Sequence, residues 1–428
     1  FMPNDAEVPA DEFDVLLECG GYDLAGPPAP HVDTTSHAIG LRAAHLVMDG
    51  GTLQIGIGSL GDGAAQSVRL RHAQPEAFRT AVNALPGPGG PIDEGGDGTF
   101  VNGLYGCTEM FTQGMFELLR AGVFKRRAHK GREVTVDGGF YLGPQTFYRG
   151  LREAPDVILN LINMTSVDDV NALYGNEAVR RQERLDARFI NIAMKATCLG
   201  AVTSDALEDG RVVSGVGGQY NFVAQAHELE DARSIILLKA VRETASGVES
   251  NIVWNYGHVT VPRHLRDIII TEYGVADLRG QPDEECVRRM LAITDARFID
   301  GLVRDAIAAK KLPQDFVVPA EWRRNTPEAI KSALQPFADM LPAFPFGTEM
   351  DPVEQDLALA LEHLQLRTGS WSGRLKYALK ALAGPANFVP FKDHLVRLDL
   401  DKPVGLEDRL MRRLVVQSLK DTASEYAA

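Results

Sequence analysis

Along the chain, short apolar runs alternate with longer amphipathic stretches. The runs at 52–57, 104–107, 134–140, 157–163, 189–194, 212–213, 235–238 and 268–271 are rich in aliphatic residues and predict buried strands. Ile39, Ala43, Leu46 and Val47 line one side of a helix expected over 36–48. Asp33, Thr34 and Thr35 offer its N-cap, and Asp49-Gly50-Gly51 ends it. Further helices are expected near 64–72 and 110–122. Strands alternating with helices define an α/β fold: a mainly parallel sheet with helices on both faces. Residues 83–103 interrupt the rhythm with glycine and proline, and read as a surface insertion, flap or plain loop. From about 285 the pattern turns helical. Leu357, Leu361 and Leu364 share one face, and Leu375, Leu379 and Leu382 another.

Composition narrows the function classes. The 428 residues suit two or three domains, at roughly 150 residues each. A net charge of −14 argues against nucleic acid and against an anionic membrane surface as partners. No apolar run approaches the roughly 20 residues of a membrane span, and the start lacks a secretory pattern. Cys19, Cys107, Cys198 and Cys286 are widely spaced, which supports neither a disulfide framework nor a zinc site. Ten histidines without ligand spacing predict no metal. The expectation is a cytoplasmic enzyme. Residues 1–33 read as a linker or the remnant of a preceding domain, 34–300 as the α/β domain and 301–428 as a helical extension.

Three segments carry candidate chemistry. Gly56-Ile57-Gly58-Ser59-Leu60-Gly61 follows a strand and precedes a helix, so its amides suit a phosphate or another anion. A dinucleotide site also wants an acid about 20 positions on, at a strand end. Glu76 instead lies in a polar stretch, so NAD is a weak reading beside a plain strand-to-helix turn. Ser214-Gly215-Val216-Gly217-Gly218-Gln219 suggests close backbone approach, an oxyanion-binding amide array or a tight turn. Thr108-Glu109-Met110 is expected to close a strand and open a helix, which puts a carboxylate beside a helix N-terminus. It is a candidate nucleophile or a helix cap.

Taken together, these segments resemble a family. The first glycine loop, Cys107-Thr108-Glu109-Met110-Phe111-Thr112-Gln113-Gly114, the second glycine loop through Phe222, Val259-Thr260-Val261-Pro262-Arg263, and Thr271-Glu272-Tyr273-Gly274-Val275-Ala276-Asp277-Leu278-Arg279-Gly280 occur in one order. That series is similar to the acetyl-CoA hydrolase/transferase family, which includes the 4-hydroxybutyrate CoA-transferases. The resemblance implies the CoA-transferase (NagB/RpiA-like) fold and Glu109 as nucleophile. It assigns Gly56, Ile57, Gly58, Ser59 and Leu60 to contact with coenzyme A, and Gly215, Gly217, Gly218 and Gln219 to the same site. Coenzyme A or acyl-CoA would be a substrate rather than a permanently bound cofactor, with a small carboxylate or water as acceptor and a homodimer as assembly.

The chain also departs from that pattern. Lys195 and Thr197 replace two acidic positions, Cys107 stands where the family often has His or Tyr, and little chain precedes the first motif. The last feature implies that a first α/β domain is missing. A CoA-binding or regulatory module without turnover is therefore the rival reading, and a nicotinamide-dependent oxidoreductase a weaker one. Arg263 and Arg266 are candidates for coenzyme A phosphates, and His258, His264 and Glu272 for polar site roles. Cys107 reads as a buried structural thiol. Lys125-Arg126-Arg127 and Arg180-Arg181 read as solvated faces.

Overall fold

The computed structural model describes residues 2–17, 26–87, 94–127, 133–384 and 387–427. The strands are β1 (Thr52–Ile55), β2 (Tyr105–Phe111), β3 (Val136–Tyr141), β4 (Ile162–Met164), β5 (Arg188–Ile192), β6 (Lys195–Thr197), β7 (Val202–Thr203), β8 (Arg233–Leu237), β9 (Val241–Thr244), β10 (Gly247–Ser250), β11 (Ile252–Val253), β12 (Ile268–Thr271) and β13 (Gly274–Asp277). The helices that matter for the site are α1 (Thr34–His45), α2 (Ser59–Ala73), α3 (Pro75–Ala84), α4 (Gln113–Arg120), α5 (Gln145–Glu153), α6 (Asp156–Leu159), α7 (Val167–Asn171), α8 (Glu177–Glu183) and α9 (Gln219–Glu228). They are followed by α10 (Asp283–Ala292), α11 (Ile299–Ala308), α12 (Pro327–Leu334), α13 (Pro352–Thr368), α14 (Trp371–Ala383), α15 (Lys392–Arg397) and α16 (Gly405–Ala427).

Eight strands form one sheet in the order β13-β12-β8-β5-β1-β2-β3-β4, parallel except for β13. The apolar runs explain it. In 235–237, Ile235 and Leu237 join one core while Ile236 faces another. Ile268 and Ile270 likewise oppose Ile269. Such strands bury both faces, so helices must cover both, as a parallel sheet requires. From β1 the chain steps outward through β2, β3 and β4. It then returns to place β5 on the other side of β1. The order therefore reverses between β1 and β5, and ligands in open parallel sheets gather at the carboxyl ends beside such a reversal.

Several local expectations are corrected. α2 begins at Ser59 rather than near 64, because its glycines serve packing. A Cβ on Gly40 would lie 2.3 Å from the carbonyl oxygen of Gly63, so α1 and α2 cross at backbone distance. The run at 157–163 is not one strand. Pro155 and Asp156 start the single turn α6, and β4 begins only at Ile162. The pair at 212–213 is exposed and makes only a bridge from Val212 to Ala206. Arg126 is not on a solvated face: it donates to Thr52 Oγ1 at 2.8 Å and to the Glu183 carbonyl at 2.7 Å. Arg180 also turns inward, to the Ala172 carbonyl.

Of the insertion, 88–93 lie outside the described residues, as does Cys19. Residues 94–103 are anchored. Arg71 donates to the carbonyls of Ala44, Val47 and Gly98, and Asp49 accepts from the amides of Val101, Asn102 and Gly103. Phe100 is fully buried beneath them.

The chain divides into two compact units, 1–240 with 250–347, and 241–249 with 348–428. Residues 301–347, which helical periodicity groups with the extension, pack in the first unit through Ile330 and Leu334. The second unit holds α13 to α16 around Leu357, Ala360, Leu364, Tyr377, Val415 and Leu419. Leu361, Leu375, Leu379 and Leu382 are exposed, so the leucine face expected on α14 is not part of that core. No helix among the described residues is long and apolar enough to cross a membrane.

Candidate active site

The carboxyl ends of β1, β2 and β5 surround one cavity of about 300 Å³. Leu53 pairs with Gly106, which puts Glu109 one residue beyond the level of Ile55, the last residue of β1. β2 thus overhangs its shorter neighbour and carries Glu109 over the reversal point. Glu109 is consequently inside a strand and not at a strand-to-helix junction. Thr112 caps α4, which starts only at Gln113.

The helix that meets Glu109 is α9, whose N-cap is Gly218. A Cβ on Gly218 would stand 2.1 Å from Glu109 Oε2, so no larger residue fits without moving the carboxylate. Gly217, at φ +55°, makes the left-handed turn that brings this N-terminus in. The positive end of the α9 dipole therefore faces the carboxylate.

Asn171, the last residue of α7, donates from Nδ2 to Glu109 Oε2 at 2.6 Å. Its own carbonyl accepts from Gln225 Nε2 at 2.6 Å, which ties α7 to α9 behind the carboxylate. Sequence reasoning missed Asn171, and no local motif marks it. Gln54 on β1 and Asn191 on β5 join across the reversal point at 3.3 Å. Gln219 Nε2 donates to the Ile192 carbonyl at 3.0 Å. Asp205 braces the second glycine loop. Its carbonyl takes the amides of Val213 and Ser214, and its carboxylate accepts from Thr260 and from His258 Nε2. Those bonds, the Thr260 hydroxyl first, hold Asp205 below the usual carboxylate range.

Gly56, Ile57, Gly215, Gly217, Gly218 and Gln219 line the cavity with Glu109. Gly58 is the N-cap of α2 and Ser59 its first residue, while the Leu60 side chain is buried in the core. Cys107 is buried, and burial pushes its thiol up to about 11, opposite to what a nucleophile needs. Lys195 turns away from the cavity and donates to the Ser250 carbonyl at 2.9 Å, and Thr197 Oγ1 takes the Ala201 amide. Arg263 and Arg266 precede β12, so they sit at the amino edge of the parallel sheet, opposite Glu109. Both bond Asp283 there. Glu272 is fully buried beyond β12, accepts the Ala240 amide, and is pushed up to about 7 by burial. Glu76 is on α3 in an exposed pair with Arg79, away from any strand end where a ribose would be held.

Residues 143–306 match the model of the acetyl-CoA hydrolase/transferase C-terminal domain, which bears out the resemblance read from the five motifs. The second glycine loop and Glu272 fall inside that segment, and Glu109 precedes it. The chain is 24% identical over 305 residues to a 4-hydroxybutyrate coenzyme A transferase of Clostridium kluyveri, covering 70% of this chain and 61% of that protein. It is 25% identical to a succinyl-CoA:cyclohexane-1-carboxylate CoA transferase of Geobacter metallireducens, over 69% of this chain and 58% of that one. RipA from Yersinia pestis shares the fold, at 25% identity and a TM-score of 0.53, over 68% of this chain and 56% of that one. The chain thus spans about three fifths of the length of the curated relatives it matches.

Proposed function

We propose that the chain carries the nucleophile of an acyl-CoA CoA-transferase or hydrolase, with Glu109 forming a glutamyl-CoA thioester. The observation that carries this is the Glu109 carboxylate held between Asn171 Nδ2 and the Gly217-Gly218 turn at the sheet's reversal point. A Glu109 oxygen attacks the acyl-CoA carbonyl, and the carbon–sulfur bond breaks to give a mixed anhydride and CoA thiolate. The thiolate then attacks the glutamyl carbonyl, and the acyl group leaves as its carboxylate. An acceptor carboxylate reverses these two steps to give a new acyl-CoA. Water in its place releases CoA and restores Glu109. Covalent catalysis of this kind divides one high barrier into lower ones.

Each tetrahedral intermediate develops an oxyanion, for which the Gly217 and Gly218 amides are the candidate donors. Asn171 positions the carboxylate for attack. The alternative of a module without turnover is motivated by Lys195 and Thr197, the 83–103 insertion and the short segment before the first motif; of these, Lys195 and Thr197 bond the Ser250 carbonyl and the Ala201 amide and do not line the cavity. Glu109→Gln tests the assignment. Turnover of acyl-CoA should fall to background while CoA binding, measured by calorimetry, stays within a few-fold. A variant that keeps its activity would move the nucleophile elsewhere.

A further inference from the structure

The lining of the cavity narrows the acyl group. Glu109 is the only charged side chain among the described residues that line it. Around it stand Ile57, Met110, Ile192, Met194, Val216 and Phe222, together with neutral polar groups. The nearest cations in sequence are engaged elsewhere. Lys195 donates to the Ser250 carbonyl and lies 5.9 Å from the Tyr256 ring, Arg211 pairs with Asp209, and Arg188 donates to the Leu46 carbonyl. Asp205, next to Ser204 of the lining, adds negative charge on that side.

Resting on the reading of Glu109 as nucleophile, we infer that the site takes acyl groups without a second charge, of the acetyl and butyryl class, and rejects dicarboxylate acyl groups such as succinyl. A distal carboxylate in this cavity would meet apolar walls and a like charge, with no cation among the described lining residues to pair it. At separations near 6 Å and an effective dielectric near 20, the repulsion alone corresponds to roughly 100-fold in selectivity. Met194, on the wall after β5, is the position where a cation would weaken the preference.

The test compares kcat/KM for butyryl-CoA and succinyl-CoA, and binding of the unreactive thioethers S-butyl-CoA and S-(3-carboxypropyl)-CoA to the same protein. Butyryl-CoA should lead by roughly 100-fold, and S-butyl-CoA should bind at least tenfold more tightly. Met194→Arg should narrow both gaps by about tenfold or more, through gains with the acidic compounds. Equal turnover or equal binding of the two classes overturns the inference and leaves the glutamyl mechanism standing. If neither thioether binds and no acyl-CoA is consumed, the functional reading falls and the inference falls with it.

Discussion

Gly218→Ala is the sharpest perturbation of the site, because its effect can be worked from two distances. The new Cβ would stand 2.1 Å from Glu109 Oε2 and 2.6 Å from Asn171 Nδ2, so the carboxylate must swing off its hydrogen bond. A hydrogen bond to a charged group contributes about 1.5–3 kcal/mol. A reacting group displaced by about 1 Å can cost roughly 100-fold in rate. The two overlap, and kcat should fall about 100-fold with KM for acyl-CoA changed little. The backbone itself tolerates alanine, since Gly218 has φ −80° and ψ 4°. The midpoint of thermal unfolding should therefore shift by only a few degrees. Gly217→Ala is the matched control. Its Cβ would lie 3.6 Å from Glu109 Oε1, an ordinary contact, but φ is +55°. That backbone strain should cost about 1–2 kcal/mol of stability with less than about tenfold loss of kcat. Steady-state kinetics and thermal melts on both variants decide it. If Gly218→Ala turns over within threefold of wild type, or Gly217→Ala is the more damaging to kcat, the close approach to Glu109 is refuted.

Asn171→Ala should lower kcat about 10- to 100-fold while KM moves little, by the same hydrogen-bond magnitude; a change confined to KM would assign Asn171 to binding instead. Burial pushes the Asp62 carboxyl up to about 7, from 3.8 in the unfolded chain. The folded state then holds the extra proton between those values, so stability falls as pH rises from about 4 to 7 and stays lowered above it. Asp62→Asn should remove that decline, giving about 4 kcal/mol over wild type at pH 8 and little difference at pH 4 in urea titrations; a gain independent of pH would disprove the assignment. Arg71→Met leaves three carbonyls without their donor and should destabilise by about 3 kcal/mol, read from the urea midpoint. An effect below about 0.5 kcal/mol would mean that residues 94–103 are not held through Arg71.

The strongest local signals survived, while weaker ones such as the runs at 157–163 and 212–213 did not. The triplets at 235–237 and 268–270 are buried on both sides of a strand, which specifies a parallel sheet whatever the surroundings. Glu109 and the 214–219 loop stood out because a carboxylate and closely spaced glycines keep their chemistry wherever the chain goes. Their juxtaposition was not legible, since it depends on β2 overhanging β1 and on α9 arriving from more than a hundred residues away. The helix-end environment expected for Glu109 is thus supplied by α9 rather than α4. Asn171 left no trace at all, being an ordinary residue in a short helix that the β4 crossover delivers to the site. Arg126 looks like a surface cation in sequence, and only the burial of backbone carbonyls beside it gives it work. The start of α2 was misplaced because glycine normally weakens a helix, whereas here it permits the α1–α2 crossing.

Trapping the intermediate tests the central claim most directly. The protein is incubated with acetyl-CoA or butyryl-CoA, quenched with hydroxylamine or borohydride, digested and examined by mass spectrometry. The account predicts a modified peptide with the change localised to Glu109, absent when acyl-CoA is omitted and absent in Glu109→Gln. Turnover of acyl-CoA with Glu109 unmodified, or modification localised to another side chain, would contradict it.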